Sequence, residues 1–87
     1  MSREIAAALA EAKLEEWKTR SYVELRALVG ETVAEAVTGP DGIEYQIEVD
    51  IFWDSPKQRR DIHVLVSIDG GGVSSFRPLL KDFIVSP

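Results

Sequence analysis

Hydrophobic and polar positions follow two different rhythms along the 87 residues. Up to about Arg20 the rhythm is helical. The stretch is rich in Ala, Glu, Lys and Leu and lacks Gly and Pro, a composition that favours a helix from Arg3 to about Arg20, with Ser2 as a possible N-cap. At about 100° per residue, Ile5, Leu9 and Ala12 share one apolar sector, and Ala10, Leu14 and Trp17 share a second beside it. Glu4, Glu11, Glu15 and Lys18 lie on a narrow polar side, while Lys13 and Glu16 interrupt the apolar arc. The arc is wider than a small sheet needs to cover, so either the helix end curls round the core or part of it meets another molecule.

A second start follows. Ser21-Tyr22-Val23-Glu24 matches the capping box, in which a Ser hydroxyl and a Glu three residues on satisfy each other's backbone N–H groups. It predicts a break near Thr19 to Ser21 and a short helix from Tyr22 to Val29, with Gly30 placed to end it. One bent helix is the alternative.

Beyond Gly30 the period changes to two. Thr32 to Thr38 reads as a strand weakened by Ala34 and Ala36. The TGPDG of residues 38–42 is a turn. From Ile43 to Trp53, Ile43, Tyr45, Ile47, Val49, Ile51 and Trp53 take one face, and Glu44, Gln46, Glu48, Asp50 and Phe52 take the other. After DSPKQRR, Ile62, Val64, Val66 and Ile68 alternate with His63, Leu65, Ser67 and Asp69. DGGG is a turn signal, Val73 to Arg77 reads as a short fourth strand, and Pro78 ends it or marks an edge. The terminal LLKDFIVSP reads as a helical turn or an extended tail in which Leu79, Leu80, Phe83 and Ile84 close the core and cover Phe52. Short links favour a meander, because parallel strands need long crossovers. The expectation is an α+β fold: an N-terminal helix or helix pair on a three- to four-stranded antiparallel meander sheet. It forms a single domain over 1–87, helical in 1–29, sheet in 31–78 and tail in 79–87.

Composition narrows the chemistry. There is no cysteine, hence no disulfide framework and no thiolate. The N-terminal stretch does not read as a signal peptide, nor does any apolar run approach a membrane span, so a cytoplasmic location without membrane attachment is expected. Residues 1–29 are balanced in charge, and the whole formal net charge of −5 belongs to residues 30–87. A field of that sign repels nucleic acid and favours cationic partners. Against it, Lys57, Arg59 and Arg60 form only a small basic tip.

Candidate sites are sparse. Glu48, Asp50, His63 and Asp69 form a polar row that could in principle bind a cation or move a proton. Neighbours on a flat sheet diverge, however, and His63 is the only histidine, so no catalytic, metal or cofactor residue is assigned. SIDGGG lacks the Lys-Ser or Lys-Thr pair of a phosphate loop. The serines at 67, 74 and 75 have no base in sequence view. Leu14 and Trp17 on the broad helix arc, and Phe52 and Leu65 on the otherwise polar sheet face, are candidate interface residues.

The segments SYVELRAL, GPDGIEYQIEVDIFWD, DIHVLVSIDGGG and FRPLLKDFIVSP together resemble a group of small bacterial proteins of uncharacterised function. The resemblance covers about residues 21–87 and implies a helix packed on an antiparallel sheet; it brings no activity, cofactor or catalytic residue. The functional expectation is a small non-enzymatic interaction or regulatory domain that binds a protein partner or forms a homodimer. The alternatives are an enzyme or metal-binding protein using the acidic sheet face, and an acidic inhibitor of a basic partner.

Overall fold

The computed structural model describes residues 3–69 and 78–87. Two helices, α1 (Arg3–Lys18) and α2 (Tyr22–Ala27), precede four strands: β1 (Thr32–Thr38), β2 (Glu44–Trp53), β3 (Ile62–Asp69) and β4 (Leu79–Val85). The strands form one antiparallel sheet in the order β1-β2-β3-β4, a meander with both helices on one face.

The break between the helices is the capping box. Ser21 Oγ accepts from the Glu24 N–H at 3.1 Å, and Glu24 Oε1 accepts from the Ser21 N–H at 3.2 Å. The chain therefore restarts rather than bends. Helix α2 ends at Ala27, two residues before the expected Val29, and Gly30 then takes a left-handed φ of 94°. Its N–H donates to the Ile51 carbonyl at 2.7 Å, which swings the chain from helix into β1.

Ala6, Ala10, Leu14 and Trp17 form the buried stripe of α1. The two alanines carry little bulk, so the backbone of α1 can approach the sheet closely. The stripe meets Tyr45, Ile47, Val49 and Ile51 of β2, and Ile62, Val64, Val66 and Ile68 of β3, all in one core with Leu25 of α2. Full burial of each large apolar side chain contributes about 1.5–3 kcal/mol before conformational entropy is counted. Lys13, which interrupts the apolar arc, and Glu11, from the polar side, are the flanks of α1. Lys13 pairs with Glu35 of β1 on one side, and Glu11 pairs with Lys81 of β4 at 3.1 Å on the other.

Leu14 and Trp17, the helix candidates for an interface, are both buried in the core, and the terminal segment differs from expectation. A fourth strand widens the sheet enough to cover the arc, and the Arg20 guanidinium lies over the Trp17 ring at 4.1 Å. The terminal segment is neither a helical turn nor a cover for Phe52. It is β4, lying beside β3 in the plane of the sheet, with Leu79 and Phe83 packed on the core and Leu80 and Ile84 exposed on the opposite face. The expected Ser2 cap, the DGGG turn beyond Asp69 and the Val73–Arg77 strand lie outside the described residues.

Candidate functional site

One face of the sheet carries the helices; the other carries nothing among the described residues. The alternation that buries Tyr45, Ile47, Val49 and Ile51 sends Glu44, Gln46, Glu48, Asp50 and Phe52 to this open face. By register, β1 adds Thr32, Ala34, Ala36 and Thr38; β3 adds His63, Leu65, Ser67 and Asp69; and β4 adds Leu80, Asp82 and Ile84.

The apolar members are not scattered. Phe52, His63 and Ile84 stand side by side across β2, β3 and β4, and Leu65 follows on the next row between Asp50 and Asp82. Leu80 completes the strip one row further, opposite Ser67. Exposure is 38% for Phe52, 52% for Ile84 and 60% for Leu80, more than a sheet face turned only to water would be expected to hold. The register runs unbroken through Phe52 and Trp53, so no bulge reverses the face there.

His63 is fixed on three sides. Its ring stacks on Phe52 with centroids 4.8 Å apart. Nε2 lies 2.5 Å from Asp82 Oδ2, and Nδ1 lies 3.4 Å from Asp54 Oδ1. A carboxylate can only accept, so Nε2 donates to Asp82. Sequence reading missed both carboxylates. Asp54 follows the end of β2, and Asp82 belongs to β4, whose pairing the local pattern conceals.

The four polar candidates are not brought together. Asp50 accepts from the Thr32 hydroxyl at 2.5 Å. The four are spread over successive rows, with His63 opposite Phe52, Asp50 opposite Leu65, Glu48 opposite Ser67 and Asp69 opposite Gln46 at the far end of the strand pair. Among the described residues, no group of three or more His, Asp or Glu side chains converges to hold a metal ion. Glu48 and Asp69 instead line, with Gln46, Ser67, Ile68, Pro78 and Leu80, a depression of about 510 Å³ on the open face. Its polar lining comes from β2 and β3, and Pro78 and Leu80 make its apolar side.

The charge is one-sided. Glu44, Glu48, Asp50, Asp69 and Asp82 line the open face, whose strand residues include no Lys or Arg. These carboxylates equal the chain's whole formal net charge of −5, so the remainder of the molecule is neutral. No helix among the described residues is long and apolar enough to cross a membrane. No protein-family model, curated protein or solved structure matches the chain.

Proposed function

We propose that this protein is a non-enzymatic interaction domain whose open sheet face docks a cationic, apolar-bearing segment of another protein. One observation carries the reading: exposed Phe52, Leu80 and Ile84 and half-buried Leu65 form an apolar strip inside a rim of carboxylates whose described strand residues include no Lys or Arg. Interfaces of this kind have an apolar centre and a polar rim. The apolar strip supplies burial, and the carboxylates select and steer a positive partner. The depression beside Leu80 receives a lysine or arginine side chain, its stem on Leu80 and its charge at Glu48. An inhibitor of a basic partner would use the same surface in the same way. Carboxylate catalysis is less well supported, because Glu48, Asp50, His63 and Asp69 do not converge on one point.

Affinity capture from the native cell tests this with three baits: wild type, Leu80→Glu with Ile84→Glu, and Val23→Glu. Val23 is 76% exposed on α2, on the helix side of the sheet. Proteins retained by wild type and Val23→Glu but lost by the sheet variant are the expected result. Identical captures with all three baits would sink the reading.

A further inference from the structure

We propose that two copies of this chain pair through β1, antiparallel about a two-fold axis at Glu35, to make one continuous eight-stranded sheet from the two four-stranded ones.

The two edges of the sheet differ. β4 is followed by Pro87 and preceded by Pro78, and carries Lys81 and Asp82 at its middle. Prolines and mid-strand charges are the usual protection against edge-to-edge pairing. β1 has neither Pro nor Lys or Arg, and its outer side pairs with no described residue. Nearly all of its side chains are exposed.

Its sequence is also self-complementary. Residues 32–38 read Thr-Val-Ala-Glu-Ala-Val-Thr, the same in both directions about Glu35. An antiparallel pair centred there sets Thr32 opposite Thr38 of the second copy, Val33 opposite Val37 and Ala34 opposite Ala36. Threonine pairs and β-branched pairs are among the favourable cross-strand neighbours. Val33, 40% exposed on the helix side, gains a valine neighbour there.

Backbone parity selects the same register. The Ile51 N–H donates to the Glu31 carbonyl, and the Gly39 N–H donates to the Ile43 carbonyl. In an antiparallel ladder the residues that exchange bonds alternate. Val33, Glu35 and Val37 therefore aim their backbone groups at β2, and Thr32, Ala34, Ala36 and Thr38 aim theirs at the free edge. The register centred on Glu35 sets outward residue against outward residue throughout. A slip of one residue would oppose outward groups to inward ones, and a slip of two would lose the matched side chains.

Electrostatics favour the edge over the face. Stacking two open faces would oppose two sets of carboxylates, whereas edge pairing leaves them side by side and the docking strip free. The liability is Glu35 beside its twin, since like charges directly opposite are destabilising. In each copy Lys13 pairs with Glu35. Partial burial pulls the Lys13 pKa down, but the Glu16 and Glu35 carboxylates outweigh it and hold the ammonium charged. Each Glu35 then meets its twin with a Lys13 ammonium beside it, a lysine it shares with Glu16. An isologous two-fold contact of this type is the commonest in soluble oligomers.

This pairing uses a different surface from the proposed docking face and is tested separately. Sedimentation equilibrium of the full chain, over a hundredfold range of micromolar concentration, is expected to show a mass rising from 9.7 kDa towards twice that value. Ala34→Pro removes an outward N–H without touching the β2 ladder and is expected to hold the mass at the monomer value. Glu35→Gln is expected to shift the equilibrium towards the dimer. Hydrogen exchange on the wild type needs no variant to fold: the amides of Thr32, Ala34, Ala36 and Thr38 should slow as concentration rises, and those of Val33, Glu35 and Val37 should not. A wild-type mass constant at 9.7 kDa would overturn the proposal. So would a dimer whose concentration-dependent protection lies elsewhere than on those outward amides.

Discussion

Gly39 and Gly42 occupy the same turn for different physical reasons. Gly42 has a left-handed φ of 77° with open space where a side chain would point. Gly39 lacks a positive φ, but a β-carbon there would lie 2.7 Å from Asp41 Oδ1, 2.8 Å from Tyr45 Cε1 and 3.2 Å from Ile5 Cγ2. Gly39→Ala should therefore cost about 1–3 kcal/mol by overpacking, measured by urea denaturation. Gly42→Ala should lose stability by a different route, because there the backbone angle is at fault. Asp41 organises the turn through the hydrogen bonds its carboxylate accepts. Desolvation pushes its pKa up, but the Tyr45 hydroxyl at 2.8 Å and the Ile43 N–H at 3.2 Å donate to the carboxylate and prevail, leaving it below the ordinary 3.8. A depressed folded-state pKa stabilises the protein fully above the unfolded value, and the benefit disappears as pH falls through the folded one. The gap in Tm between wild type and Asp41→Asn should be constant at neutral pH and close as pH drops below about 3.8. A gap unchanged at the acid end would remove this carboxylate from the account.

Elements were legible where a single cause set the pattern. β2 and β3 are central strands with one face covered, so burial alone dictates alternation, and their pairing follows from the sequence. The capping box announces α2 by local hydrogen bonding that owes nothing to the tertiary fold, and Ser21→Ala should cost about 1 kcal/mol, read from thermal melts. A smaller loss than a few tenths would mean that packing of Leu25, not the cap, starts this helix. β4 was hidden because its inward side is Leu79, Lys81, Phe83 and Val85 and its outward side is Leu80, Asp82 and Ile84. A lysine points in and two aliphatics point out, so the period of two vanishes. Position explains both exceptions: Lys81 lies at the sheet margin, where Glu11 of α1 reaches it, and Leu80 and Ile84 belong to the open apolar strip. The pairing of His63 with Asp82 became visible only with that strand in place, as did the burial of Leu14 and Trp17. The row of carboxylates, by contrast, was readable from alternation, but that the described strand residues of the face include no Lys or Arg required the register of all four strands.

At the scale of the molecule the fold is two layers, with the large buried side chains of the described residues between them and five carboxylates on the open strand face. Neighbouring residues on one strand should therefore respond oppositely to the same substitution. Val64 is fully buried between β3 and the helices, and Val64→Glu places a carboxylate in a dry core with no cation to meet it, a cost of several kcal/mol that exceeds the stability of many small domains. Leu65, one residue on, is on the open face between Asp50 and Asp82. There a glutamate keeps its hydration and meets only the repulsion of two partly solvated neighbours, a loss on the order of 1 kcal/mol that added salt should reduce. Ile51→Ala, on the covered side, should fall between them at about 2–5 kcal/mol, as truncation leaves a cavity without a buried charge. Chemical denaturation of the three variants gives the order. Should Leu65→Glu prove as damaging as Val64→Glu, independent of salt, the face taken here as open would have to be covered in the folded protein, and the docking strip would be core.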